Sequence, residues 1–135
     1  MPSDLLQLID QLEREHAEVR AALGALGVLA EAEDAAGIAA ALPGMAAVLA
    51  AGLDAHSGAE DETLFPAVAY EIGEGVTEAF AAEHVEILAL RDELYRGGDG
   101  APATCRGLRA LLESHMDREE LVLFPSVREL LGERS

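Results

Sequence analysis

The chain repeats itself: HSGAEDETLFP at residues 56–66 and HMDREELVLFP at 115–125 carry His, Glu, Leu, Phe and Pro at a constant offset of 59. A fold that accommodates such a repeat must present both copies to equivalent surroundings. Each copy is preceded by one isolated histidine, His16 for the first and His84 for the second, and together these use all 4 histidines of the chain. His16 and His56 stand 40 positions apart, His84 and His115 only 31, so the first half is expected to have a longer connection or longer helices.

The spacing of apolar residues identifies the elements. Leu5, Ile9, Leu12, His16, Val19, Leu23 and Leu26 follow a 4,3,4,3 rhythm, which puts them on one buried seam of a helix. Asp4 with Gln7 is a candidate capping box in front of it. After EAEDAAG at 31–37, a second seam runs Ile38, Leu42, Met45, Leu49, Gly52, His56, Glu60, and Pro43 leaves its start either before residue 38 or near 42. Thr77 is a candidate N-cap for a third seam of Phe80, His84, Ile87, Arg91 and Leu94, which RGGDGAP at 96–102 terminates. A fourth carries Cys105, Leu108, Leu112, His115 and Glu119, then Leu123 and Val127. With no strand signal, the expected fold is a single all-α domain over 1–135. It is an up-down-up-down four-helix bundle built as a pseudo-twofold pair of helical hairpins.

Composition narrows the partners. With 26 acidic residues against 9 basic ones, all arginine, the formal net charge is −17. Neither nucleic acid nor an anionic membrane surface is expected to bind, because both require clustered positive charge. Cys105 is the only cysteine, so no intrachain disulfide forms; it lies ten residues before His115 and reads as core packing. The N-terminus lacks the regions of a signal peptide, and a cytoplasmic location is the expectation. GIAAALPGMAAVLAAGL, 37–53, reads as a buried helix and not a membrane span.

Residues four apart on a helix share a face. His56 with Glu60 and His115 with Glu119 can therefore each offer an imidazole and a carboxylate to one interior site, joined there by His16 and His84. One histidine in an apolar seam is more often a satisfied core residue than a ligand, and one His-x-x-x-Glu is a common surface pair. The joint pattern is different, because burying two carboxylates without compensation costs several kcal/mol each. Four imidazoles and two carboxylates exceed a four-ligand structural zinc site and suit two ions, each held by two histidines and bridged by both glutamates. Nitrogen and oxygen ligands without thiolate fit iron, manganese, zinc or nickel.

EH at 15–16, HSGAEDETLFP, EH at 83–84 and HMDREELVLFP together resemble the hemerythrin-like, or HHE cation-binding, domain family over nearly the whole chain. The resemblance implies a four-helix bundle with a non-haem di-iron centre whose ligands are His16, His56, Glu60, His84, His115 and Glu119, with manganese or zinc as substitutes. Two features depart from the oxygen-carrying members of that family. Leu88 stands where they have a fifth histidine, and they place the last carboxylate five residues after the final histidine, so Glu119 and Glu120 are both candidates. The parallel with Glu60 favours Glu119.

The expected function is binding of, or reaction with, a small ligand such as O2, peroxide or NO at an open coordination position. The alternative is an iron- or oxygen-responsive sensor or iron-handling module acting through a partner. No residue outside the ligand set reads as a dedicated acid or base, which leaves enzymatic activity open. The oligomeric expectation is monomer or homodimer. Leu64, Phe65, Leu123 and Phe124 are expected to close the bundle over the site, and Pro66 and Pro125 to kink or reset their helices. Asp61, Glu62 and Glu120 read as solvated helix charges, Glu120 being the one with reach to a metal. Arg91 reads as snorkelling to solvent, with pairing to an interior or rim carboxylate as the alternative, and Tyr95 as a minor candidate to support the site.

Overall fold

The computed structural model describes residues 2–134, and its regular structure there is helical, without a strand among the described residues. The first helix is Pro2–Glu31, the second Ala35–Ile72 and the third Glu74–Arg96. The fourth runs through Ala101–Arg118, Glu119–Leu123 and Phe124–Arg134. The links between them, 32–34, Gly73 and 97–100, are so short that consecutive helices must run antiparallel. This is the expected four-helix bundle. The extra length of the first hairpin lies in its helices, since its connection is shorter than that of the second.

Local chemistry sets the boundaries. The Asp34 carboxylate accepts the Gly37 N–H at 2.8 Å, so the second helix begins before Ile38 and Pro43 lies inside it on an exposed face. Gly73 joins the second and third helices at φ 115°, a value open to glycine and strained for other residues. Two expected caps do not form. The first helix already starts at Pro2, which puts Asp4 inside its first turn. The third starts at Glu74, so Thr77 lies within it and its hydroxyl donates to the Glu74 carbonyl at 3.1 Å.

The 37–53 stretch is buried on one face only. Ile38, Leu42, Leu49 and Leu53 enter the core while Ala39, Ala40, Ala46 and Ala47 are exposed. By length and composition its helix is apolar enough to cross a membrane, and 22% of its most apolar window is buried in the bundle.

The core is divided into two apolar clusters. One holds Val19, Leu23, Leu49, Leu53, Ile87, Leu112 and Met116, with Cys105 fully buried among them as expected. The other holds Ile9, Leu12, Leu64, Phe65, Phe80, Leu123 and Phe124. Each buried Leu or Phe contributes about 1.5–3 kcal/mol, and these clusters offset the cost of the polar residues that share the interior.

Both copies of the repeat contain a stretch of π-helix, Glu60–Leu64 and Glu119–Leu123, immediately before Phe-Pro. A proline in regular α-helix removes one N–H and pushes its ring against the carbonyl four residues back. The chain widens the preceding turn instead. The Phe65 N–H donates to the Glu60 carbonyl and the Phe124 N–H to the Glu119 carbonyl, each five residues back. The prolines thus reset their helices at equivalent points, and each widened turn runs from the glutamate of its motif to the phenylalanine.

Candidate metal centre

His16, His56, Glu60, His84, His115 and Glu119 converge in the bundle interior, all buried, with both glutamates at 0% exposure. The His16 and His56 Nε2 atoms face each other at 3.2 Å. His84 Nε2 lies 2.9 Å from Glu60 Oε1, His16 Nε2 lies 3.1 Å from Glu119 Oε1, and His115 Nε2 lies 3.6 Å from that same oxygen. The ligand-type atoms form two groups, each within a 4.8 Å span: Glu60, His84, His115 and Glu119 in one, His16, His56 and Glu119 in the other. Glu119 belongs to both. Glu60 belongs to the first and reaches towards the second, with Oε1 3.4 Å from His56 Nε2.

The other nitrogen of every ring is already engaged. His16 Nδ1 donates to Glu120 at 2.8 Å, His56 Nδ1 to Glu15 at 3.0 Å, His84 Nδ1 to Asp61 at 2.9 Å and His115 Nδ1 to Glu83 at 2.7 Å. An ionised carboxylate only accepts hydrogen bonds, so these contacts place a ring proton on each Nδ1 and turn the Nε2 atoms inwards. The four contacts close a circuit around the bundle. Glu15 on the first helix holds the second helix's histidine, Asp61 on the second holds the third's, Glu83 on the third holds the fourth's, and Glu120 on the fourth holds the first's.

This outer ring corrects the reading of Asp61 and Glu120 as solvated charges. Their carboxylates touch histidines, whereas Glu62 is exposed. It also adds Glu15 and Glu83, which sequence reasoning missed although the signal was present. An acid directly precedes the isolated histidine in each half, and another directly follows the motif glutamate. Glu120 is a quarter exposed and held by Arg20, so Glu119 is the glutamate in the interior.

Phe65 stacks on His84 with ring centroids 5.8 Å apart and Phe124 stacks on His16 at the same distance, which places the motif phenylalanines against the site as expected. Leu88 packs partly buried against the first apolar cluster. Arg91 takes the alternative fate, pairing with the exposed Asp54 and Asp92, and Tyr95 lies in a separate groove with Ile38, Leu42 and Leu94.

The inner polar atoms are short of partners. Glu60 Oε2, His115 Nε2 and both Glu119 oxygens are buried without a hydrogen bond. Left so, each carries a desolvation cost of about 1–3 kcal/mol, more where charged. The protein's own groups recruit protons in response. Burial and the neighbouring Glu60 charge push the Glu119 carboxyl well above the usual carboxylate range. Burial opposes charge on both His56 and Glu60, but their neighbours outweigh it: the adjacent Glu60 and Glu119 carboxyls push His56 up to about 10, and the neighbouring Glu119, His56 and His84 hold Glu60 below the carboxylate range. Burial and His56 push His16 down. A cation answers the same demand, and these nitrogen and oxygen donors without thiolate fit iron, manganese or zinc.

Comparison with known proteins agrees with this geometry. Residues 7–127 match the family described as Hemerythrin HHE cation binding domain. No curated protein and no solved structure gives a significant match.

Proposed function

Since this chain belongs to the hemerythrin HHE cation-binding domain family, we propose that its four histidines and two buried glutamates hold two iron ions that meet a small ligand such as O2, peroxide or NO. The observation that carries this reading is the buried, unpartnered set of Glu60 Oε2, both Glu119 oxygens and His115 Nε2, with every Nδ1 occupied by an outer carboxylate. His16 and His56 would hold one ion, His84 and His115 the other, and Glu119 with Glu60 would join them. Six carboxylates, Glu15, Glu60, Asp61, Glu83, Glu119 and Glu120, lie against the four imidazoles, an excess of negative charge that favours cations.

Bound iron would supply a change of oxidation state and a coordination position for a small ligand. The chain's own residues orient the imidazoles, exclude water and control space. Phe65 and Phe124 cover two of the histidines, while Leu53, Ile87, Leu112 and Met116 line a cavity of about 10 Å³ beside all four. That is room for about one water-sized molecule, which disfavours large ligands. Ion uptake would expel the protons on His56 and Glu119, so affinity is expected to rise with pH.

The test is metal analysis with an optical spectrum, before and after reduction and exposure to O2, peroxide and NO. Two irons per chain, with a ligand-to-metal band that changes on exposure, is the expected result. Unchanged metal content in a His56→Ala, Glu119→Ala double variant would overturn it. Loss of fold on chelation with no spectral response would favour a sensor or iron-handling module acting through a partner.

A further inference from the structure

The four outer carboxylates are not equally supported. Glu120 is bound by Arg20, Glu83 accepts two hydrogen bonds from Arg118, and Glu15 accepts one from Gln11. Asp61 has the shortest side chain and, among the described residues, no partner other than His84. It is also the most exposed, at 39% against 17% for Glu15, 22% for Glu83 and 25% for Glu120.

The surroundings of His84 are open on the same side. Asp61 holds its Nδ1 and Phe65 stacks on its face, and both line a surface groove of about 400 Å³ between the second and third helices. Glu74 and Glu78 line that groove too, giving it a field that attracts cations. At His16 the equivalent carboxylate is closed off, since Glu120 is tied to Arg20.

From this asymmetry we infer that the two metal positions exchange at different rates, and that Asp61 is the positioning residue that gates the faster one, at His84 and His115, through the groove between the second and third helices. The inference rests on the two-ion reading above. When the Asp61 contact breaks, His84 loses its only Nδ1 partner and is free to turn towards the groove. The His16 and His56 position has no such weak link, because both of its outer carboxylates are themselves held by a second side chain.

The test is anaerobic extraction of iron(II) from the loaded full chain by excess chromophoric chelator, followed by stopped flow. Wild type is expected to release its iron in two phases of one ion each. Asp61→Ala should accelerate the fast phase about 10- to 100-fold, the usual cost of losing an outer partner of a metal-bound histidine. Asp61→Asn keeps an oxygen to accept the Nδ1–H and should fall between the two. Glu120→Gln should accelerate the slow phase and leave the fast one alone. Asp61→Ala should leave the thermal midpoint of the chelator-stripped protein unchanged, which separates gating from a general loss of structure. A single phase for both ions, or an Asp61→Ala effect shared equally between the phases, would overturn the inference. Absence of bound iron, or only one ion per chain, would instead overturn the two-ion reading.

Discussion

The two helical hairpins place the same residues in the interior and support them differently. In each half an isolated histidine, a His-x-x-x-Glu pair, a π-helical turn and a stacked phenylalanine recur. Outside that set the halves diverge. The position after the inner glutamate is Asp61 in one and Glu120 in the other, and Gly52 of the first half corresponds to Leu111 of the second at the offset of 59. Among the described residues, only the first hairpin has an additional π-helical stretch, Ala50–Ala55, ahead of its histidine. The difference shows how tightly each layer is constrained. An inner ligand must supply a particular atom at a particular place, whereas the outer ring requires only a carboxylate within reach of Nδ1.

The largest expected effect breaks the equivalence of the two inner glutamates. Glu119 belongs to both groups of ligand-type atoms and Glu60 to one. If the protein binds two irons as proposed, Glu119→Ala is therefore expected to reduce bound iron to less than one per chain, and Glu60→Ala to leave about one. Equal losses, read by metal analysis, would mean that the glutamates bridge symmetrically. With metal stripped, the order of stability should reverse: Glu119→Met removes a buried carboxylate and should raise stability by about 1–4 kcal/mol in urea unfolding.

A smaller effect separates the hairpins by packing. A Cβ at Gly52 would meet Val19 Cγ2 at 2.0 Å, so the second helix approaches the first more closely there than alanine allows. Gly52→Ala should cost about 1–3 kcal/mol by overpacking. It should also weaken metal binding, since His56 is four residues further along. Gly107 is exposed in the fourth helix, where a Cβ would meet nothing within 4 Å, and Gly107→Ala should gain about 0.5–1 kcal/mol with metal content unchanged. Matching signs for the two substitutions would remove the close approach as an explanation.

Much of the fold and the inner site was legible because both follow from periodicity. Seam spacing places Leu12, His16 and Val19 on one face whatever the details, and the offset of 59 singles out Glu119 from its neighbour Glu120. The outer ring was harder to read because Asp61 and Glu15 lie off the seams, where an acid is ordinarily solvated. Whether such a residue meets a histidine on the adjacent helix depends on interhelical rotation, which no single helix encodes. The misread caps have a similar origin. Asp4 and Thr77 have the chemistry of caps, but the helices begin earlier, at Pro2 and Glu74, which leaves both residues inside the first turn. The exposed alanines of the second helix defeat the apolar count for a different reason, since alanine favours helix without requiring burial.

The smallest effect concerns the arginines of the outer ring, and it compares the one on the first helix with the one on the fourth. Burial raises the Glu83 and Glu120 carboxyls, but hydrogen bonds from His115 and Arg118 to Glu83, and from Arg20 and His16 to Glu120, outweigh it and hold both below the usual carboxylate range. A carboxylate whose folded pKa is depressed stabilises the fold above its unfolded pKa of about 4.5, and that contribution disappears as pH falls through the depressed value. Arg118→Gln and Arg20→Gln should thus each lower stability at neutral pH by less than about 1 kcal/mol, the usual scale for partly exposed pairs. The deficit relative to wild type should shrink as pH falls from the unfolded value through the depressed folded one, where the carboxylates protonate. Differences from wild type are the quantity to compare, because titrating a chain of net charge −17 also relieves general repulsion. Arg118 makes both of its carboxylate contacts to Glu83, at 2.7 and 2.6 Å, whereas Arg20 divides its contacts between Glu120 and exposed Asp117, so Arg118→Gln should show the larger acid-dependent part. Urea midpoints at neutral and acid pH decide it. A deficit independent of pH would mean that the arginines act through packing over Phe80 and its neighbours, and not through the carboxylates that orient the histidines.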